Sequence, residues 1–150
     1  AAEELAREVY RRAVAARPFR GPWAAYLEAA LAQEEEHARR LREALGRQPA
    51  LRFRLPEVFQ SPILLLRLLE SLEEAFVGAY LGALPLLEGE ALRLAGAILG
   101  VEAGHRVLVR QARLELQDPL LRPPFVANDR ALEQALSPEG AREALKPYLP

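Results

Sequence analysis

The sequence contains no cysteine and no methionine, one lysine (Lys146), one tryptophan (Trp23) and only two histidines, His37 and His105. Without cysteine there are no disulfides, no thiolate metal sites and no thiol catalysis, and the redox compartment is undetermined. Any metal must be held by oxygen and nitrogen. Methionine is missing even at position 1, so the chain as given is expected to have lost its initiator, with room for a longer leader before it. A cytoplasmic protein and one exported after leader removal both fit that pattern. Neither sign of charge dominates, the formal net being -1, and there is no basic run and no stripe of aromatics with arginine. Nucleic acid and anionic membranes are therefore not expected partners. No apolar run is long enough to span a bilayer: the most apolar stretch, Ile63 to Leu72, is interrupted by Arg67 and Glu70. The protein is expected to be soluble.

What is present is helix-forming. The chain has 150 residues, 51% of them hydrophobic, which is enough for one domain with a full core. Residues 1–16, rich in Ala, Glu, Leu and Arg, read as a first helix that ends before Pro18, Gly21 and Pro22. Trp23, Leu27, Ala30, Leu31, Ala38 and Leu41 recur at helical spacing and predict a second helix over 23–45 with Gly46 as its cap. A connection containing Pro49 and Pro56 leads to Ser61-Pro62, a good helix start. The third helix is expected over 62–84, with Leu66, Leu69, Glu70, Glu73, Phe76, Val77, Tyr80 and Leu84 facing inward. Pro85 and Glu88-Gly89-Glu90 interrupt it. A fourth, over about 90–116, carries Leu94, Ile98, Val101, Glu102, His105, Leu108 and Ala112 on one face. Past Asp118-Pro119 the character changes. Asn128 or Asp129 would cap one short helix, and Ser137-Pro138-Glu139 would start another. The expected class is all-α: an antiparallel four-helix bundle over 1–116 with a long crossover between helices 2 and 3, and an extension of short helices over 117–150 packing on it.

Both histidines follow a glutamate by three residues, in Glu34-Glu35-Glu36-His37 and Glu102-Ala103-Gly104-His105. On a helix, positions i and i+3 share a side, so each pair offers a carboxylate and an imidazole to one point. Glutamate is roughly one residue in eight, which puts the double coincidence at about one in sixty. The pattern is part of a repeat. Glu3 precedes Tyr10 by seven residues and Glu73 precedes Tyr80 by seven, and each glutamate comes about thirty residues before a Glu-x-x-His.

Antiparallel residues at one depth must be equidistant from the turn joining their helices. Glu3 and Glu34 are centred on Pro18-Phe19, Glu73 and Glu102 on Leu87-Glu88, and His37 and Glu73 on Leu55. All three midpoints fall in predicted connections, so the six side chains can meet at one level of a bundle. Four carboxylates there would repel unless cations were present. Two divalent ions cancel them. Oxygen and imidazole donors suit iron and manganese; zinc is admitted and copper fits less naturally. In this scheme Glu34 and Glu102 bridge, Glu3 and Glu73 are terminal ligands, and His37 and His105 each hold one ion. Glu70 is either an ion pair at the core edge or an extra ligand. Tyr10 and Tyr80 read as packing residues before redox ones, and Glu35-Glu36 as a solvated face.

The order Glu, Glu-x-x-His, Glu, Glu-x-x-His resembles the ferritin-like di-iron carboxylate superfamily. Within it the chain is most similar to the ferritin-like domain proteins that include exported bacterial members and plant desiccation-related proteins. The likeness rests on Glu34 to His37, on Leu72 to Ala83 with Glu73 and Tyr80, and on Ala95 to His105 with its Ile98-Leu99-Gly100-Val101-Glu102 core. It covers residues 1 to about 115 and, more loosely, the Ser137-Pro138 tail. It implies a di-metal protein that oxidises ferrous iron or consumes dioxygen or peroxide, as ferroxidases, rubrerythrins and manganese catalases do, in metal or oxidative-stress handling. The alternatives are a metal-stabilised stress-protection or binding module without catalysis, and a metal-free helical interaction domain. The lack of cysteine argues against an attached rubredoxin centre. The C-terminal segment does not read as the single short helix of a ferritin cage, and bundles of this size often pair, which points to a homodimer.

Overall fold

The structure, a computed structural model describing residues 2–46 and 50–149, is all-α, with no strand among the described residues. Its helices are α1 (Ala2–Ala16), α2 (Pro22–Leu45), α3 (Pro62–Ala83), α4 (Gly89–Glu115) and α5 (Pro138–Leu145), with 3-10 turns at Leu84–Leu86 and Lys146–Tyr148. Each of the four long helices lies within two residues of its expected bounds. Ala1, Pro150 and the 47–49 part of the expected connection, Pro49 included, lie outside the described residues. The chain divides into two compact units, Ala1–Leu65 with Leu145–Pro150, and Leu66–Ala144.

The first unit is built on the α1–α2 hairpin. In α1 the buried residues Glu3, Ala6, Tyr10 and Ala13, with Leu5 and Val9 beside them, repeat at three and four positions and form one stripe. The helix stops at Ala16 because Arg17 turns into the left-handed region (φ 51°), its N–H donating to the Ala13 carbonyl. Gly21, at φ 59° and ψ -138°, re-aims the chain, and Pro22 starts α2 where a missing N–H costs nothing. Two contacts set the register. The Tyr10 and Tyr26 hydroxyls are 2.8 Å apart near the turn, and Arg42 donates to Glu4 at 2.6 Å toward the open end. Tyr10 and Tyr26 are centred on Pro18, which is where the sequence midpoint of Glu3 and Glu34 also falls. Further along, the Arg54 N–H donates to the Tyr148 carbonyl at 2.9 Å, tying the crossover to the C-terminal turn.

The second unit pairs α3 with α4. Leu66, Leu69, Leu72, Phe76 and Val77 of α3 and Ala95, Ile98, Val109 and Ala112 of α4 are among its buried apolar residues. The turn between them uses the 3-10 segment containing Pro85 and then Gly89 at φ 55°. Glu70 on α3 accepts from Arg110 (2.7 Å) and from Arg113 on α4. Asp118, just past α4, accepts from Arg67 at 2.9 Å and from Arg113 at 2.8 Å, and also receives the Leu120 N–H. Its side chain is fully buried. Arg67 and Arg113 beside it hold its carboxyl well below the usual carboxylate range.

The extension differs from expectation at one place. Ser137 and Pro138 do start α5, the Gly140 N–H donating to the Ser137 hydroxyl, but no helix follows Asn128 or Asp129. Residues 126–136 run instead as an irregular strap along α3 and α4. Arg110 takes the Ala127 and Val126 carbonyls and the Asp129 carboxylate, so the groups a helix cap would use are engaged across to α4. Leu136 then crosses α3 at Gly78 and Gly82, its N–H donating to the Gly78 carbonyl at 2.8 Å. A Cβ on Gly82 would stand 1.8 Å from the Leu136 carbonyl oxygen, so only glycine allows that approach.

Two outcomes are expected. Gly82→Ala lowers stability by about 1–3 kcal/mol, the range for overpacking, and removes hydrogen-exchange protection at the Leu136 amide. Protection left intact would show that the strap does not depend on this contact. Asp118, with a depressed folded pKa, stabilises above its ordinary 3.8, and that contribution is lost as pH falls through the lower folded value. Asp118→Asn takes the carboxylate from the half-buried Arg67 and leaves Arg113 with Glu70 alone, and is expected to cost on the order of 2 kcal/mol at neutral pH. In urea unfolding the deficit relative to wild type shrinks below about pH 4.

Candidate metal centre

In the first unit, α2 carries Glu34 and His37 one turn apart on its buried face, while Glu35 and Glu36 between them are exposed. Arg39 and Arg40 pair with Glu36 and bring its carboxyl down to about 2, as a solvated ion-pair face requires. Across the hairpin, the first turn of α1 supplies Glu3. Glu34 is 0% exposed, Glu3 4% and His37 8%. The His37 Nδ1 lies 3.4 Å from a Glu3 oxygen and 3.5 Å from a Glu34 oxygen.

The second unit repeats this arrangement. Glu102 and His105 lie one turn apart on α4, and Glu73 comes from α3; Glu73 and Glu102 are 0% exposed and His105 3%. The His105 Nδ1 is 3.7 Å from a Glu73 oxygen and 3.7 Å from a Glu102 oxygen. The adjacent Glu74 is exposed and pairs with Arg130, so facing alone separates two neighbouring glutamates. Glu70, one turn before Glu73, has both oxygens engaged by Arg110 and Arg113 and is the ion pair at the core edge.

Six ionisable side chains in two apolar helix pairs would be costly to bury without compensation. Glu73 registers that cost: burial pushes its carboxyl well above the usual range, the neighbouring Glu102 charge adds to this, and the His105 imidazole opposes it. Within each triad the donor atoms lie within 4.8 Å of one another. Adjacent ligands about 2.1 Å from one ion would stand about 3.0 Å apart in octahedral and about 3.4 Å in tetrahedral coordination, so the observed 3.4–3.7 Å is near the spacing a cation would need. Each triad has the donors, burial and spacing to take a cation.

Two features escaped the sequence reading. Leu108, expected inward, is 44% exposed, and Val109 and Arg106 are buried in its place. Arg106 is 1% exposed and donates to Glu133 of the strap at 2.8 Å, with Asp129 at 3.6 Å. A helix-wheel argument puts an arginine beside His105 in solvent. The available signal was the pair of acids, Asp129 and Glu133, four residues apart in the extension. Tyr10 is buried with its hydroxyl against Tyr26, and Tyr80 is half-buried.

A helical protein with two matched pairs of acid-bearing helices, each with a buried Glu-x-x-His, falls in the ferritin-like class. The family model described as "Ferritin-like domain" matches residues 1–115, and the chain belongs to that family. No curated protein and no solved structure matches the chain significantly. Among the described residues no helix is long and apolar enough to cross a membrane.

The metal-free protein is expected to carry the strain of Glu73 as a pH dependence. A carboxyl whose folded pKa is raised stabilises fully below its unfolded value, near 4.5, and loses that contribution as pH rises toward the higher folded value. Glu73→Gln removes the charge and keeps the shape. Its melting temperature in chelator should exceed that of wild type at neutral pH and converge with it near pH 4. Equal melting temperatures at pH 7 would show that burial of this carboxylate is compensated without a cation.

Proposed function

We propose that Glu3, Glu34, His37, Glu73, Glu102 and His105 hold two divalent ions, iron or manganese before zinc, and that the protein uses them to oxidise ferrous iron or consume dioxygen or peroxide. The observation that carries this reading is the duplication: two helix pairs each bury the same set of two carboxylates and one imidazole at coordination spacing. Membership of the ferritin-like domain family supports it. Two divalent ions bring four positive charges against the four glutamates. They would offset the burial cost registered at Glu73 and the smaller like-charge cost from Glu102.

In this reading His37 and His105 would each supply one imidazole nitrogen, and Glu3, Glu34, Glu73 and Glu102 would supply carboxylate oxygens. Oxygen and imidazole donors hold iron and manganese without restricting them to one oxidation state. The bound ions would supply redox chemistry toward dioxygen or peroxide. The chain's own contribution is to fix the donors, exclude bulk water and balance charge. Leu5, Ala6 and Tyr10 are buried on α1 with Glu3, and Leu69, Phe76 and Ile98 belong to the core of the second unit. Glu70 is outside the ligand set, committed to Arg110 and Arg113.

Elemental analysis after loading with ferrous or manganous ion tests the proposal. About two ions per chain are expected, falling to a small fraction in Glu34→Ala/Glu102→Ala. The loaded protein should melt higher than the apo form by linkage, about 2.7 kcal/mol at a hundredfold excess over Kd. Loaded protein is then assayed for ferrous oxidation and for peroxide consumption. Full loading without turnover would leave a metal-stabilised, non-catalytic module. Sub-stoichiometric metal indifferent to the substitutions would sink the di-metal reading altogether.

A further inference from the structure

Three aromatic side chains of the α1–α2 hairpin form a connected series. Trp23, the only tryptophan of the chain, is half-buried at the start of α2. Its ring stands edge-on to Tyr26 with centroids 6.1 Å apart. Tyr26 in turn stands edge-on to Tyr10 at 6.3 Å, and their hydroxyls are 2.8 Å apart. Tyr10 is 1% exposed. It is two helical turns from Glu3 along α1, a rise of about 10 Å; Tyr26 stands at a similar remove from Glu34 on α2. The series therefore runs from a half-buried indole through the half-buried Tyr26 to the buried Tyr10, on the two helices that carry the first triad. Edge-on packing by itself is ordinary core stabilisation. The additional element is the phenol–phenol hydrogen bond, which gives a proton a path along the same line an electron would follow.

We propose that Trp23, Tyr26 and Tyr10 are a relay for single oxidising equivalents. A one-electron oxidant takes an electron from the Trp23 indole, which releases its ring proton to water. The indole radical then takes one electron from Tyr26; the indole regains a proton from water and Tyr26, half-buried, releases its phenolic proton to water. Tyr10 next passes one electron and, through the hydrogen bond, one proton to Tyr26, leaving Tyr26 a phenol and Tyr10 a phenoxyl radical. An external one-electron, one-proton reductant such as a thiol or ascorbate restores the phenol. The same steps run in the opposite order deliver a hole arising near the triad to the surface. The relay is a property of the metal-free chain. Only its use, draining oxidising equivalents left by dioxygen or peroxide, rests on the di-metal reading.

The test uses metal-free full-length protein and needs no turnover. A pulse-generated azide radical oxidises tryptophan, and the optical bands of the tryptophanyl and tyrosyl radicals are followed in time. The expected result is first-order conversion of the tryptophanyl to the tyrosyl signal at a rate independent of protein concentration. Tyr26→Phe, which keeps the ring and removes the phenol, should abolish this phase and leave a long-lived tryptophanyl radical. Tyr10→Phe should keep the phase but change the electron paramagnetic resonance spectrum of the tyrosyl product, which then loses its phenol partner. Circular dichroism of each variant checks the fold, and Tyr80→Phe, outside the series, should behave as wild type. Decay of the tryptophanyl signal only by concentration-dependent routes in wild type, or an undiminished first-order phase in Tyr26→Phe, would overturn the proposal. Because no metal is involved, failure here leaves the di-metal reading standing, and failure to load metal leaves this one standing.

Discussion

The burial of acid beside imidazole is the constraint around which this protein is arranged. A helix face normally turns Glu outward, because desolvating a carboxylate costs several kcal/mol unless a partner compensates. Here Glu3, Glu34, Glu73 and Glu102 are all turned inward and His37 and His105 with them. Elsewhere the chain obeys the ordinary rule: Glu8, Glu36 and Glu43 pair with arginines on exposed faces. The exceptions are confined to one short zone of each long helix. Such local departure from the pattern, in a chain that otherwise keeps it, is how a functional site stands out from a core.

The remaining charges of the second unit have a different task. Arg67, Arg106, Arg110, Arg113 and Arg130 meet Glu70, Glu74, Asp118, Asp129 and Glu133. Most of these pairs connect α3 or α4 to Asp118 or to the segment after it, beyond the 115 residues that match the family model. Exposed ion pairs contribute little singly, but Asp118 and Arg106 are buried, and removing either partner would leave a charge stranded in the core. Gly78 and Gly82 complete the attachment by allowing backbone to lie directly on α3. The extension is thus held by charge and close backbone approach rather than by a large apolar face, which is consistent with Leu132 standing 85% exposed.

Much of this was legible in the residues. The positions of the four long helices followed from apolar spacing and from Pro and Gly punctuation, because both act locally. Glu-x-x-His identified its own members, since i and i+3 on a helix can hardly avoid sharing a face. Glu73 faces inward and Glu74 outward, as the phase set by Leu66, Leu69, Phe76 and Val77 along α3 predicts. Helix α4 was harder. Its stripe widens to include Arg106 and Val109 and excludes Leu108, because the strap supplies Glu133 and Asp129 beside it. No periodicity within α4 encodes that partner. The missing helix after Asn128 has the same origin: local cap chemistry was present, and Arg110 from α4 had already taken the acceptors.

The amino-acid sequence by itself determined the helical class, the family, the two Glu-x-x-His pairs and the absence of any sulfur ligand, since each depends on residues near one another in the chain or on composition. Only the tertiary structure decided which acids are desolvated, that Glu70 is consumed by Arg110 and Arg113, that Arg106 is buried, and that Trp23, Tyr26 and Tyr10 line up across a hairpin. These depend on what a second element brings to a given face. Burial and charge pairing are properties of that meeting, and a single helix read alone does not contain its partner.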